Sequence, residues 1–120
     1  MIEPCGFPFG DRALRRAGMD YATLAEIRRH ADWAAFRAVT PGRIVLFTTR
    51  GAMPLPAARL AADDVLLFGS EGAGVPDAVH DAAALAVRIP LMPGTRSLNV
   101  AVSAGIALAE ALRQTGQLPA

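Results

Sequence analysis

Three short, mainly apolar runs, each closing in a polar or glycine-bearing loop, constrain this chain more than any other feature. Ile44-Val45-Leu46-Phe47 ends in Thr48-Thr49-Arg50-Gly51. Val65-Leu66-Leu67-Phe68 ends in Gly69-Ser70-Glu71-Gly72-Ala73-Gly74-Val75-Pro76. Leu85-Ala86-Val87-Arg88-Ile89-Pro90 leads into Leu91-Met92-Pro93-Gly94-Thr95-Arg96-Ser97-Leu98-Asn99-Val100. Runs of four or five apolar residues suit strands buried on both faces, the environment of a parallel sheet covered by helices. Ligands of such sheets sit in the crevice outside the carboxyl ends of the strands. Three neighbouring strands would therefore bring three loops to one pocket.

The segments between the runs read as helices and turns. Gly6 to Gly10 forms a Pro/Gly loop, and Asp11 caps a short helix ending near Gly18. Thr23 opens a segment from Leu24 to His30, and Asp32 a turn of helix carrying Trp33 and Phe36. Pro41-Gly42 breaks the chain before the first strand, Ile44–Phe47. Residues 51–62 read as a loop followed by a short alanine-rich helix. Pro76 suits the first turn of a helix through Ala83, ahead of a strand over Ala86–Ile89. Leu98, Val102, Ile106, Ala109 and Leu112 recur at helical spacing from about Ser97 to Gln114, with Gly116 as the stop. Alternating strand, loop and helix make the class α/β, and 120 residues without repeat or linker make one domain, 1–120.

Charge and composition narrow the function. The net charge of +1 is too small to argue for nucleic acid by itself, but it is unevenly spread. Residues 1–50 hold eight arginines against five acids, and residues 51–120 four against six. Every basic side chain is arginine, whose planar fork suits phosphate. Arg12, Arg15 and Arg16, then Arg28 and Arg29, make either a basic patch or ordinary solvated helix faces. No apolar stretch approaches the roughly 18 residues of a membrane span, and Met1-Ile2-Glu3-Pro4 has no signal-peptide character. Cys5 is the single cysteine, so neither a disulfide framework nor a multi-cysteine metal site is expected, and a cytoplasmic location is.

Several chemistries find little support. Gly69-Ser70-Glu71-Gly72-Ala73-Gly74 has the spacing of neither a dinucleotide fingerprint nor a P-loop. It reads either as a tight turn or as backbone that approaches a ligand closely, with Glu71 as its carboxylate. Ser70, Ser97, Ser103, His30 and His80 lack activating neighbours at a telling spacing for nucleophilic catalysis, and His80 reads as a surface or packing residue. Two isolated histidines make no metal site. Arg96-Ser97-Leu98-Asn99 is more informative, because it crowds polar groups at the start of the most apolar helix, where free backbone N–H groups accumulate. Capping accounts for Ser97 but not for Arg96 and Asn99 beside it.

Phe68 to Pro76, then Ile89-Pro90-Leu91 and Arg96-Ser97-Leu98-Asn99-Val100-Ala101, resemble the two C-terminal motifs of the SPOUT RNA methyltransferases. Ile2-Glu3-Pro4, Gly6-Phe7, Leu14-Arg15-Arg16-Ala17-Gly18, Asp20-Tyr21 and Glu110 to Gly116 are similar to the branch that methylates the ribose 2′-hydroxyl of the tRNA wobble nucleotide. The resemblance covers essentially the whole chain. It implies a parallel sheet flanked by helices, with a C-terminal trefoil knot around S-adenosylmethionine. It places the cofactor against Phe47, Thr48, Gly69, Glu71, Gly72, Ile89, Leu91, Ser97, Leu98 and Asn99. Arg96, Ser97 and Asn99 become candidates for the chemistry, Arg12, Arg15 and Arg16 for contact with tRNA, and a homodimer is implied.

Members of that branch carry a further segment before the position of Ile2, holding a first strand, an Asn/Gly-rich loop with a catalytic arginine, and a helix used in dimer contacts. The expectation for these 120 residues is thus a SPOUT domain without its first β–α unit, with the cofactor loops retained and little methyl transfer. The alternative is a domain that binds cofactor or RNA without turnover. An unrelated nucleotide-binding α/β domain rests on the glycine loops alone.

Overall fold

The computed structural model describes residue 2 and residues 27–69, 75–90 and 100–118. They belong to two compact units, 1–41 and 42–120.

In the first unit, Asp32 adopts an extended backbone and its Oδ1 accepts the N–H of Ala35 at 2.8 Å, opening helix α1, Trp33–Val39. The capping role expected of Asp32 is met. Residues 27–30 are not helical, contrary to the segment expected to run to His30. His30 instead forms an isolated parallel bridge with Ile2, and extended backbone committed to a bridge cannot enter an i→i−4 ladder. The His30 ring packs edge-on against Phe36 at 5.1 Å.

The second unit is built on a four-stranded sheet of β1 (Ile44–Phe47), β2 (Met53–Pro54), β3 (Val65–Phe68) and β4 (Leu85–Arg88). Their order is β2-β4-β1-β3 and every pairing is parallel. β1 is buried throughout, as its uniformly apolar sequence requires of a strand covered on both faces. β3 and β4 are the other two expected strands, although β4 begins and ends one residue earlier than Ala86–Ile89. Its ladder to β1 starts at Val45↔Leu85, and Ile89 stands just beyond the strand.

The alanine-rich helix expected within residues 51–62 does not form. Met53–Pro54 pairs with the outer edge of β4, and Leu55–Ala57 makes one 3-10 turn with Pro56 inside it. Leu55, Ala58 and Leu60 then enter the core. Backbone groups that a helix would have used are taken by side chains: the distant Gln114 amide donates to the carbonyl of Ala58 at 2.9 Å and accepts from the N–H of Leu60 at 2.8 Å, while nearby Asp64 accepts from the N–H of Ala61.

Helix α2, Asp77–Ala82, has Pro76 at its N-cap position and returns the chain from β3 to β4 on the other side of β1. Helix α3, Val100–Gln114, packs on β3 and buries Ala107. Its most apolar residues are not the packed ones, since Val102, Ile106 and Leu108 are exposed. Gly116 stops the helix as expected, at φ 72°. The N–H of Gln117 reaches the carbonyl of Leu112, and that of Gly116 the carbonyl of Arg113, a Schellman closure. Among the described residues, no helix is long and apolar enough to cross a membrane.

Candidate active site

The register brings three carboxyl ends level. Phe47 pairs with Phe68 on one side and Val87 on the other, so Thr48, Gly69 and the Arg88-Ile89 step leave the sheet along one edge. β1 lies between β3 and β4 although it precedes both, which makes this edge a topological switch point, where α/β sheets open a crevice for ligands. The Phe47 and Phe68 rings stack at 4.9 Å and 13°, and Phe68 and Ile89 pack half-buried against the core cluster containing Phe47 and Val87. The floor of this end is apolar.

The loop leaving β1 is shaped by its own polar groups. Thr48 donates its N–H to the carbonyl of Val87 at 2.9 Å, extending the β1–β4 ladder by one step. Its carbonyl accepts the N–H of Gly51, and its Oγ1 accepts the N–H of Arg50 at 3.2 Å. Gly51 is buried with its backbone pressed on β4, where a β-carbon would stand 2.5 Å from the carbonyl carbon of Val87. From β4, the Arg88 Nη1 donates to the carbonyls of Gly51 at 3.1 Å and Ala52 at 3.0 Å. Sequence reasoning missed both Gly51 and Arg88. The signal available was a single charge closing an otherwise apolar strand, level with a glycine-ended turn.

Of the positions expected to meet the cofactor, Phe47, Thr48, Gly69 and Ile89 stand at this edge. Glu71, Gly72, Leu91, Arg96, Ser97, Leu98 and Asn99 lie outside the described residues, as do Arg12, Arg15 and Arg16. His80 is half-buried within α2, and Ser103 lies in α3.

A bidentate ion pair stands at the opposite, amino ends of the strands. Arg43, just before β1, grips Asp64, just before β3, with Nε to Oδ1 at 2.9 Å and Nη2 to Oδ2 at 2.6 Å. Nη2 also donates to the carbonyl of Arg59. The guanidinium's hydrogen bonds hold the Asp64 carboxyl below its ordinary range, with the Ala61 N–H assisting. On α3, hydrogen bonds from Arg113 and then Gln114 bring Glu110 down to about 2. The described part of the pocket thus offers an apolar floor, closely packed backbone and a guanidinium at its rim, which suits holding and aligning a ligand.

Comparison with known proteins points the same way. The model of the SpoU rRNA Methylase family matches residues 1–109. A tRNA (cytidine(34)-2′-O)-methyltransferase from Beijerinckia indica is 51% identical over 121 residues, covering 98% of this chain and 76% of that protein. A solved structure concerned with 2-OH methylation of C/U34 on tRNA superposes with a TM-score of 0.86 at 40% identity, over 94% of this chain and 75% of that one. An AdoMet-bound rRNA methyltransferase from Sinorhizobium meliloti superposes at 0.79 with 28% identity, over 93% and 44% respectively.

Proposed function

This chain belongs to the SpoU rRNA methylase family, and from that premise we propose that it methylates the ribose 2′-hydroxyl of the tRNA wobble nucleotide, using S-adenosylmethionine. One observation carries the reading. Phe47, Thr48, Gly69 and Ile89, four positions that the family resemblance assigns to the cofactor, lie on a single edge of the sheet at its switch point.

The residues present fit such a group. Phe47, Phe68 and Ile89 offer an apolar floor for an adenine ring, and backbone rather than charged side chains forms the adjoining wall. The cofactor supplies, when bound, an electrophilic methyl group on a sulfonium sulfur. The protein's task at the ribose is to align the hydroxyl with that methyl and to assist loss of the hydroxyl proton. In this reading Ser97 and Asn99 orient cofactor or ribose, Arg96 holds a phosphate, and Glu71, Gly72, Leu91 and Leu98 complete the cofactor loops. Arg12, Arg15 and Arg16 meet the tRNA backbone.

The reading also takes residues 1–120 as one cytoplasmic methyltransferase domain with the C-terminal knot, the homodimer being the state of the full-length family. Support for the dimer comes from α3, which exposes Val102 and Ile106. Ile106 and Ala109 line an open groove of about 580 Å³ with Leu55, Pro56 and Leu118.

Calorimetric titration with S-adenosylmethionine tests the site. The parent chain binds, and Gly69→Val binds at least about tenfold more weakly, because a branched side chain takes space at the pocket's edge. Absence of binding by the parent, or equal affinity in the variant, contradicts the assignment.

A further inference from the structure

We propose that Arg88 is a positioning residue for the cofactor pocket, locking the loop after β1 onto the strand that feeds the loop after β4. The inference rests on the reading above that the cofactor occupies this edge.

Arg88 is the last residue of β4 and the only charged residue in that strand. It is exposed, so its charge is not a core feature. One nitrogen, Nη1, donates to two successive carbonyls, those of Gly51 and Ala52. These carbonyls end the turn that begins at Thr48, and the residue that follows Arg88, just beyond β4, is Ile89. A single guanidinium therefore ties one cofactor loop to the exit of another. A carbonyl pair gripped by a fixed charge is held more firmly than one facing water, because hydrogen bonds to charged donors are the stronger class.

The sheet does not depend on this grip. β4 is held to β1 through Val45↔Leu85, Leu46↔Ala86 and Phe47↔Val87, and to β2 through Met53↔Val87 and Pro54↔Arg88, all backbone pairings. The buried side chain beside it is Val87, which is fully enclosed. Removing the guanidinium leaves that packing in place and frees the turn at Gly51-Ala52 alone. The cost then falls on binding, since the cofactor must order a loop that was ordered in advance.

Arg88→Met keeps the apolar stem and removes the donors, and Arg88→Lys restores one charged donor group. Titration with S-adenosylmethionine is run on the parent and both variants, alongside thermal unfolding. The expected results are about tenfold weaker binding in Arg88→Met, substantial recovery in Arg88→Lys, and cooperative melting retained in both, with the midpoint of Arg88→Met lowered by about 5–10 °C. Parental affinity in Arg88→Met overturns the proposal. So does a lysine variant as weak as the methionine variant, or loss of cooperative melting, which would make Arg88 a residue of the fold. A parent chain that binds no cofactor overturns the underlying site assignment instead, which separates the two failures.

Discussion

Replacing Gly51 with alanine puts the geometry of the pocket wall to a quantitative test. The added β-carbon would lie 2.5 Å from the Val87 carbonyl carbon and 2.7 Å from both the Val87 oxygen and the Arg88 nitrogen. All three are backbone atoms of a strand paired on both sides, so they cannot rotate out of the way. Ordinary contact requires roughly 1 Å more separation, which strains the Thr48 to Val87 bond at 2.9 Å and the two bonds from Arg88. Overpacking of this kind costs about 1–3 kcal/mol, and weakening one or two hydrogen bonds adds about 0.5–1.5 kcal/mol each. The expected destabilisation is therefore about 3 kcal/mol, read from the midpoint of urea unfolding followed by circular dichroism. Cofactor affinity should fall with it. Gly105→Ala is the matched control, since a β-carbon there meets nothing within 4 Å on an exposed helical position. It should stabilise by about 0.5–1 kcal/mol, the ordinary helix-propensity gain. A Gly51→Ala protein with the parental midpoint and parental affinity would refute the close approach of loop and strand.

Three further outcomes are expected. Asp64→Asn should cost about 2 kcal/mol, because a nearly inaccessible carboxylate bonded to Arg43 loses its charge. Its folded-state value lies below the ordinary 3.8, so the stability it contributes is present above that pH and lost as pH falls through the folded value. Acid unfolding below about pH 4 should accordingly be shallower in the variant than in the parent. Gln114→Ala should lower stability by about 2 kcal/mol by leaving the Ala58 carbonyl and the Leu60 N–H unpaired, seen in the same urea titration. Substituting Arg12, Arg15 and Arg16 together with alanine should weaken tRNA binding and flatten its dependence on salt by about three counterions, measured by filter binding across a salt series.

Two strands were legible because Ile44–Phe47 and Val65–Phe68 are unbroken apolar runs, a pattern with few alternatives when both ends carry turn residues. β2 was not, since two residues containing a proline have no period, and Met53–Pro54 is a strand only through its pairing with β4. The run at 57–62 looked helical from its alanines, yet Leu55, Ala58 and Leu60 are fixed by burial and by the Gln114 amide, 54 residues away from Leu60. Local propensity carries no trace of such a partner. α3 was recognised from Val102, Ile106 and Ala109, but its packed face carries Ala107 and Ala111, small residues whose burial leaves no strong apolar signature. At the pocket, Phe47, Thr48, Gly69 and Ile89 were legible as strand-end positions. Gly51 and Arg88 were not, because their importance lies in backbone proximity between loop and strand.

Transfer of labelled methyl groups from S-adenosylmethionine into bulk tRNA, followed by digestion and mapping of the modified nucleoside, tests the proposed function most directly. The account predicts that the label transferred, a small amount for these 120 residues, lies as a ribose 2′-O-methyl at nucleotide 34, and that Gly69→Val and Gly51→Ala transfer less than the parent. Label on a base, at another tRNA position, or in ribosomal RNA to the exclusion of tRNA would contradict it.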